Sequence, residues 1–168
     1  QMKIDYIRAY QLPGTAQYDS AVAVGPNPGG GTPPSPTHAP VTATIGSGSD
    51  SLVLKVSQDY FLTDAQYTVS VDGVQIGGTQ LAGAVHGAGQ ADTLTVKGDW
   101  NTGSHQVQVN FLNDGYGGSI TLDRNLYVES ATYDGVNVSG AARTLWSAGP
   151  SGFAVTDTTS LASAPIPG

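Results

Sequence analysis

Ala65-Gln66-Tyr67-Thr68-Val69-Ser70-Val71-Asp72-Gly73 sets an apolar side chain at every second position and then closes on Asp-Gly. Successive side chains of a strand point to opposite faces, so this period-two run predicts a half-buried strand. Asp-Gly tolerates the positive φ that both centres of a two-residue hairpin turn require, and predicts that the chain doubles back there. The same pattern recurs outward. His105-Gln106-Val107-Gln108-Val109-Asn110-Phe111-Leu112 alternates as cleanly, and Asp134-Gly135 gives a second hairpin signal. Further strands are predicted at 52–57, 93–97, 124–130, 144–146 and 153–156. At least seven short strands at this spacing predict an all-β fold, an antiparallel β-sandwich of jelly-roll type with no significant helix.

Composition supports that class. Only 11% of the 168 residues are charged, against roughly a quarter in typical soluble domains. Their place is taken by 23 Gly and many Ser, Thr, Asn and Gln, which suit turns better than helical surfaces. Of the 13 acidic residues Glu129 is the single glutamate, and aspartate in such excess favours turns, caps and calcium loops. A net charge of −7 argues against a nucleic-acid partner, since phosphate needs a basic stripe. No apolar run reaches the ~20 residues of a membrane-spanning helix. Without cysteine, neither disulfides nor thiolate metal sites are available.

The chain divides into segments. Residues 1–12 contain a lone alternating strand, Met2-Lys3-Ile4-Asp5-Tyr6-Ile7-Arg8-Ala9-Tyr10, expected to be the last strand of a truncated upstream domain. Residues 13–40 form a linker, because the Pro and Gly concentrated from Gly25 onward remove donors and add entropy. The sandwich is expected over 41–158, followed by a tail at 159–168. The opening residues do not read as a signal peptide; if the protein is exported, as expected, its signal lies upstream. A monomer is expected.

Two acid-bearing loops interrupt the strands. One spans Ser57-Gln58-Asp59-Tyr60-Phe61-Leu62-Thr63-Asp64. The other runs from Asn113 and Asp114 through Gly115-Tyr116-Gly117-Gly118 to Asp123 and Arg124. Calcium takes six to eight oxygens from carboxylates, carbonyls and water. A glycine-rich loop bracketed by Asp114 and Asp123 can bring both carboxylates together. A calcium with open positions binds adjacent sugar hydroxyls, and a nearby aromatic can stack on the sugar face. Tyr116 is the first candidate for that platform and Tyr60 the second. The plainer alternative is that these aspartates only cap turns and these tyrosines only pack loops.

The stretch Asn110-Phe111-Leu112-Asn113-Asp114, with Asp123-Arg124-Asn125-Leu126-Tyr127-Val128, resembles the calcium-dependent, xylan-binding carbohydrate-binding modules of family 60. Asp64 to Gly73 and the Tyr133-Asp134-Gly135 hairpin support the resemblance, which covers about residues 51–155. It implies Ca2+ as cofactor and Asp114 and Asp123 as its carboxylate ligands. The backbone carbonyls of Leu122 and Tyr60 are further candidates, and Asp59 and Asp64 are ligands or supports. More residues separate Asp114 from Asp123 here than in short-loop members of the family. The opening strand is similar to the last strand of family 16 glycoside hydrolases. Together these imply a secreted accessory module that targets an upstream catalytic domain to a polysaccharide of xylan, galactan or β-glucan type.

Other residues have two readings each. Arg124 would bind sugar or orient Asp123. Trp100 would be a rim aromatic contacting ligand, although Trp100 and Trp146 read more readily as core. His86, in a glycine-rich loop, is a ligand candidate; His105 reads as structural and His38 as linker. Asn137-Val138-Ser139 matches a glycosylation acceptor. Catalysis is not expected: a chain with one glutamate cannot hold the family 16 catalytic signature, and neither a Gly-x-Ser-x-Gly elbow nor metal-spaced histidines occur. The competing function is a calcium-stiffened structural or adhesive module that binds no glycan.

Overall fold

The computed structural model describes residues 38–158. The strand expected at 1–12, the linker up to residue 37 and the tail at 159–168 lie outside the described residues.

Two sheets face each other. The larger orders β1 (Thr42–Gly46), β5 (Asp92–Gly98), β2 (Asp50–Asp59), β8 (Asp123–Tyr133) and β10 (Arg143–Leu145). Short strands β7 (Gly115–Tyr116) and β9 (Val136–Asn137) also pair with β8. The smaller orders β11 (Gly149–Asp157), β6 (Gly103–Phe111), β3 (Ala65–Val71) and β4 (Val74–Ala82). All pairings are antiparallel except that of β1 with β5, which is parallel. The described residues form the expected all-β sandwich, and the only helical piece among them is a 3-10 turn at His86–Ala88.

Alternation places the core. Leu52, Leu54 and Val56 of β2, Leu94 and Val96 of β5, and Leu126 and Val128 of β8 point inward from the larger sheet. They meet Tyr67, Val69 and Val71 of β3, Val107, Val109 and Phe111 of β6, and Phe153 and Val155 of β11. Each such side chain contributes about 1.5–3 kcal/mol when taken from water. Strands β1 and β4 were not foreseen. β4 carries Gly77-Gly78 and is largely exposed, so it lacks a clean inward–outward alternation.

Both predicted hairpins form, with Asp72 and Asp134 at φ 51° and 46° before Gly73 and Gly135 at φ 79° and 80°. Their carboxylates also join neighbouring strands: Asp72 accepts from the Gln106 amide at 2.8 Å and Asp134 from the Ser51 amide at 2.8 Å. Asp92, 4% exposed, accepts from the amides of Val41 and Gly83 at 2.7 and 2.6 Å, fastening the entry into β1 and the end of β4.

One register positions the site. β2 and β8 pair as Ser57↔Tyr127, Gln58↔Leu126 and Asp59↔Asn125, after a bulge between Lys55 and Val56. Paired residues share a face, so Ser57 and Asp59 stand beside Tyr127 and Asn125 on the sheet's outer side.

Candidate functional site

Asp123, Asn125, Tyr127 and Glu129 alternate along the outer face of β8, and Ser57 and Asp59 answer them from β2. The Tyr127 hydroxyl donates to Asp59 Oδ2 at 2.6 Å. Asn125 Nδ2 donates to Asp59 Oδ2 at 3.1 Å and lies 3.4 Å from Asp123 Oδ2. Asp59 and Asp123 are thus brought together through one amide. Asn125 is 3% exposed, and its Oδ1 is buried with no hydrogen-bond partner. An unmatched buried oxygen costs about 1–3 kcal/mol, so Oδ1 is open to a donor or a cation.

Burial, the bond to Asp59 and the charges of Asp59, Glu129 and Asp123 push the Tyr127 phenol far above its ordinary value. It stays a donor. The donor set fits calcium: two carboxylates and an amide oxygen are hard ligands, with no sulfur and no imidazole among them. Among the described residues no three His, Cys, Asp or Glu side chains gather closely enough to hold a metal by themselves. Amide, carbonyl or water oxygens must complete any cage.

The remaining candidates are placed as follows. Asp114 is exposed and does not join Asp59 and Asp123 in a three-carboxylate group. The glycine-rich loop closes instead as a small hairpin, Gly115 and Tyr116 pairing with Arg124 and Asp123. The carboxylate that shares the Asn125 amide with Asp123 is Asp59, on the neighbouring strand. Asp64 accepts from the buried Gln58 Nε2 at 2.7 Å and meets His38 Nε2 at 2.8 Å. Gln58 in turn accepts from the Ala65 amide at 2.6 Å, which makes Asp64 part of the turn. The Leu122 carbonyl accepts from the Gly117 amide at 2.6 Å within the hairpin. Tyr60 donates through its hydroxyl to the Leu62 carbonyl at 2.8 Å and tilts against His38.

Arg124 is neither at the surface nor on Asp123. It is 6% exposed, and its guanidinium donates to the backbone carbonyls of Thr63 at 2.8 Å, Phe61 and Asn113. It ties the 60–64 loop to the 112–123 loop from beneath. Above it, Phe61 comes close enough to Gly117 that a Cβ there would lie 2.7 Å from the ring. Tyr116, 64% exposed, stands opposite Asp123 on this stapled end.

The aromatic expectations change places. Trp100 packs partly into the core near Tyr133 and His105, and its amide donates to Asp50 Oδ2 at 2.5 Å. It stands by the opposite end of β2 from Asp59, a strand length of roughly 30 Å away. Trp146 is 64% exposed, its ring nearly perpendicular to that of Tyr127 at 5.9 Å and 82°. His86 lies flat on Tyr127, centroids 3.8 Å apart and planes 7° off parallel. Its Nδ1 meets Glu129 Oε1 at 2.6 Å, and Ser57 donates to the same carboxylate. His105 is structural, bonded to Asp72 Oδ2 at 2.7 Å and the Asn101 carbonyl at 2.6 Å.

Asn125, Tyr127, Glu129 and Trp146 were not singled out beforehand as contact residues. The polar positions 123, 125, 127 and 129 do carry a period-two signal, readable once a strand with one wet face is assumed. Ser57, His86 and Glu129 do not make a nucleophile relay. Ser57 is fully buried and approaches the same ring nitrogen as Glu129, whereas a relay uses the two nitrogens separately. A hollow of 440 Å³ lies at the far end between β9 and β11, lined by residues such as Val136, Asn137 and Val155, away from these carboxylates.

Residues 51–147 match the sequence family described as Ca-dependent carbohydrate-binding module, xylan-binding. No curated protein and no solved structure matches the chain.

Proposed function

The chain belongs to the calcium-dependent, xylan-binding carbohydrate-binding modules, and from that premise we propose that Asp59, Asp123 and Asn125 form the site at which it takes hold of a polysaccharide. The observation that carries the reading is the buried Asn125 amide, whose Nδ2 joins the two carboxylates and whose Oδ1 is left unpartnered. A bound calcium would supply positive charge and open coordination positions to two adjacent sugar hydroxyls. The chain's own residues do the rest. Tyr127 orients Asp59 and remains protonated beside it. Arg124 fixes the two loops that carry Phe61, Thr63 and Asn113, so the rim around the carboxylates is shaped before ligand arrives. Tyr116 offers an exposed ring on the face of Asp123 for contact with the sugar plane.

The module would act outside the cell and hold an attached glycoside hydrolase on its substrate. The likeness of residues 2–10 to a hydrolase strand supports that role, with xylan the first ligand to try and galactan and β-glucan next. Calorimetry against these polymers, with calcium and with a chelator, tests the reading. Binding that is lost on chelation and in Asp59→Ala and Asp123→Ala is the expected result. Calcium uptake without glycan binding would instead make this a calcium-stiffened structural or adhesive module.

A further inference from the structure

We propose that the site takes its glycan as an internal stretch of neutral chain, three or more sugar units long, laid along the outer face of the larger sheet from Asp59 and Asp123 toward Lys55. The proposal rests on the reading above and extends it, since holding one pair of hydroxyls leaves the rest of this face without a role.

Three hollows adjoin on that face. One of 290 Å³ surrounds Trp146 and includes Thr144. Thr144 also lines a hollow of 230 Å³ over Tyr127, His86 and Glu129. His86 and Glu129 are shared in turn with a third, of 290 Å³, that reaches Lys55 and Gln90. Shared walls make one shallow trough. On β8 it runs from Tyr127 to Ser130, about 10 Å at the rise of a strand, and Trp146 and Lys55 extend it on either side, enough for several pyranose rings.

The trough's fittings suit sugar. Trp146 crosses Tyr127 at 82° and is largely exposed, so its indole offers apolar surface in water against which a pyranose can lie. His86 is held by stacking on Tyr127 and by Glu129 at Nδ1, so its other nitrogen has a fixed direction toward a hydroxyl. Preset groups of this kind add affinity because little side-chain freedom is lost on binding.

Charge selects the class of chain. Glu129 is the acid within the trough, and Asp59 and Asp123 lie beyond its Tyr127 wall. Arg143 on its wall turns its donors to the carbonyls of Gly140, Ala142 and Gly152. Lys55, whose Nζ donates to Thr93 Oγ1 at 2.6 Å, stands at the far limit. A polyuronate would meet Glu129 within the trough and Asp59 and Asp123 at its end.

The test is calorimetric titration with xylo-oligosaccharides of two to six units at saturating calcium. Affinity is expected to climb about tenfold or more from the disaccharide to the longer oligomers and then level off. In Trp146→Ala and His86→Ala the ratio of hexasaccharide to disaccharide affinity should fall toward one. Equal affinity for all lengths, a climb unchanged in both variants, or equal binding of an oligogalacturonate overturns the proposal. Binding that climbs with length but ignores a chelator supports the trough and refutes the calcium reading. Binding of no oligomer at all refutes both.

Discussion

Replacing Asn125 by leucine separates a metal-holding amide from a merely structural one. The side chains are similar in size, and the position is 3% exposed. In a chelator the change removes one hydrogen bond to a charged acceptor at 3.1 Å and a longer contact at 3.4 Å. The former is worth about 1.5–3 kcal/mol, while removing the unpartnered Oδ1 returns about 1–3 kcal/mol. The two nearly cancel. Without metal, Asn125→Leu should therefore match the parent within about 1 kcal/mol. With metal they should part. Extracellular calcium sites bind at about 10⁻⁴–10⁻³ M, so about 10 mM calcium stabilises the parent by about 1.4–2.7 kcal/mol. For a domain of this size that is a rise in melting temperature of roughly 5–10 °C. Paired thermal melts in EDTA and in calcium read both quantities. The variant should show less than half the parent's calcium shift. An equal shift in both proteins refutes the assignment, as does a variant several kcal/mol weaker in EDTA, which would mark Oδ1 as already satisfied.

Arg124→Met should cost about 3 kcal/mol by urea unfolding, three charged bonds being lost against the relief of one buried charge, and should reduce glycan affinity; unchanged stability and affinity would show that the loops hold themselves. Gly117→Ala forces a Cβ to 2.7 Å from Phe61 and 2.9 Å from Leu122. It should lower stability by about 1 kcal/mol and weaken binding several-fold in the same calorimetric assay, because the loops must part. His105 is held above the ordinary histidine value, chiefly by its bond to Asp72, which is itself held low. A raised folded value gives stability that is complete below the unfolded value, about pH 6.5, and fades as pH rises through the folded one. Urea midpoints should therefore decline above that pH in the parent and less in His105→Asn; parallel slopes would remove the pair from the account.

Much of the fold was legible because each inner strand alternates. Tyr67, Val69 and Val71, or Val107, Val109 and Phe111, declare their face with no knowledge of a partner. β4 did not, since an exposed edge with two adjacent glycines has no face to declare. The site was half legible. Its acids and its two loops were visible, yet the pairing that matters joins Asp59 to Asn125, 66 positions apart. That register follows a bulge between Lys55 and Val56, which shifts every later partner by one and leaves no local mark. Asp114, nearer in sequence to Asp123, was the natural choice, and among the described residues it does not gather with Asp59 and Asp123 into one three-acid group. Trp146 was read as buried on residue type alone. It follows β10, the outermost strand of its sheet, where the edge leaves its ring in solvent.

The Arg124 guanidinium closes on three peptide oxygens and on no side chain of either loop. A peptide oxygen is the one acceptor that every residue type brings with it. The second loop can therefore exchange the exposed Tyr116 or Ile120 for other residues while the backbone path of both stays gripped from below. Contour and chemistry are decoupled at this end of the sandwich. It is a cassette whose taste in sugars can be rewritten, by mutation or by a library, without rebuilding the frame.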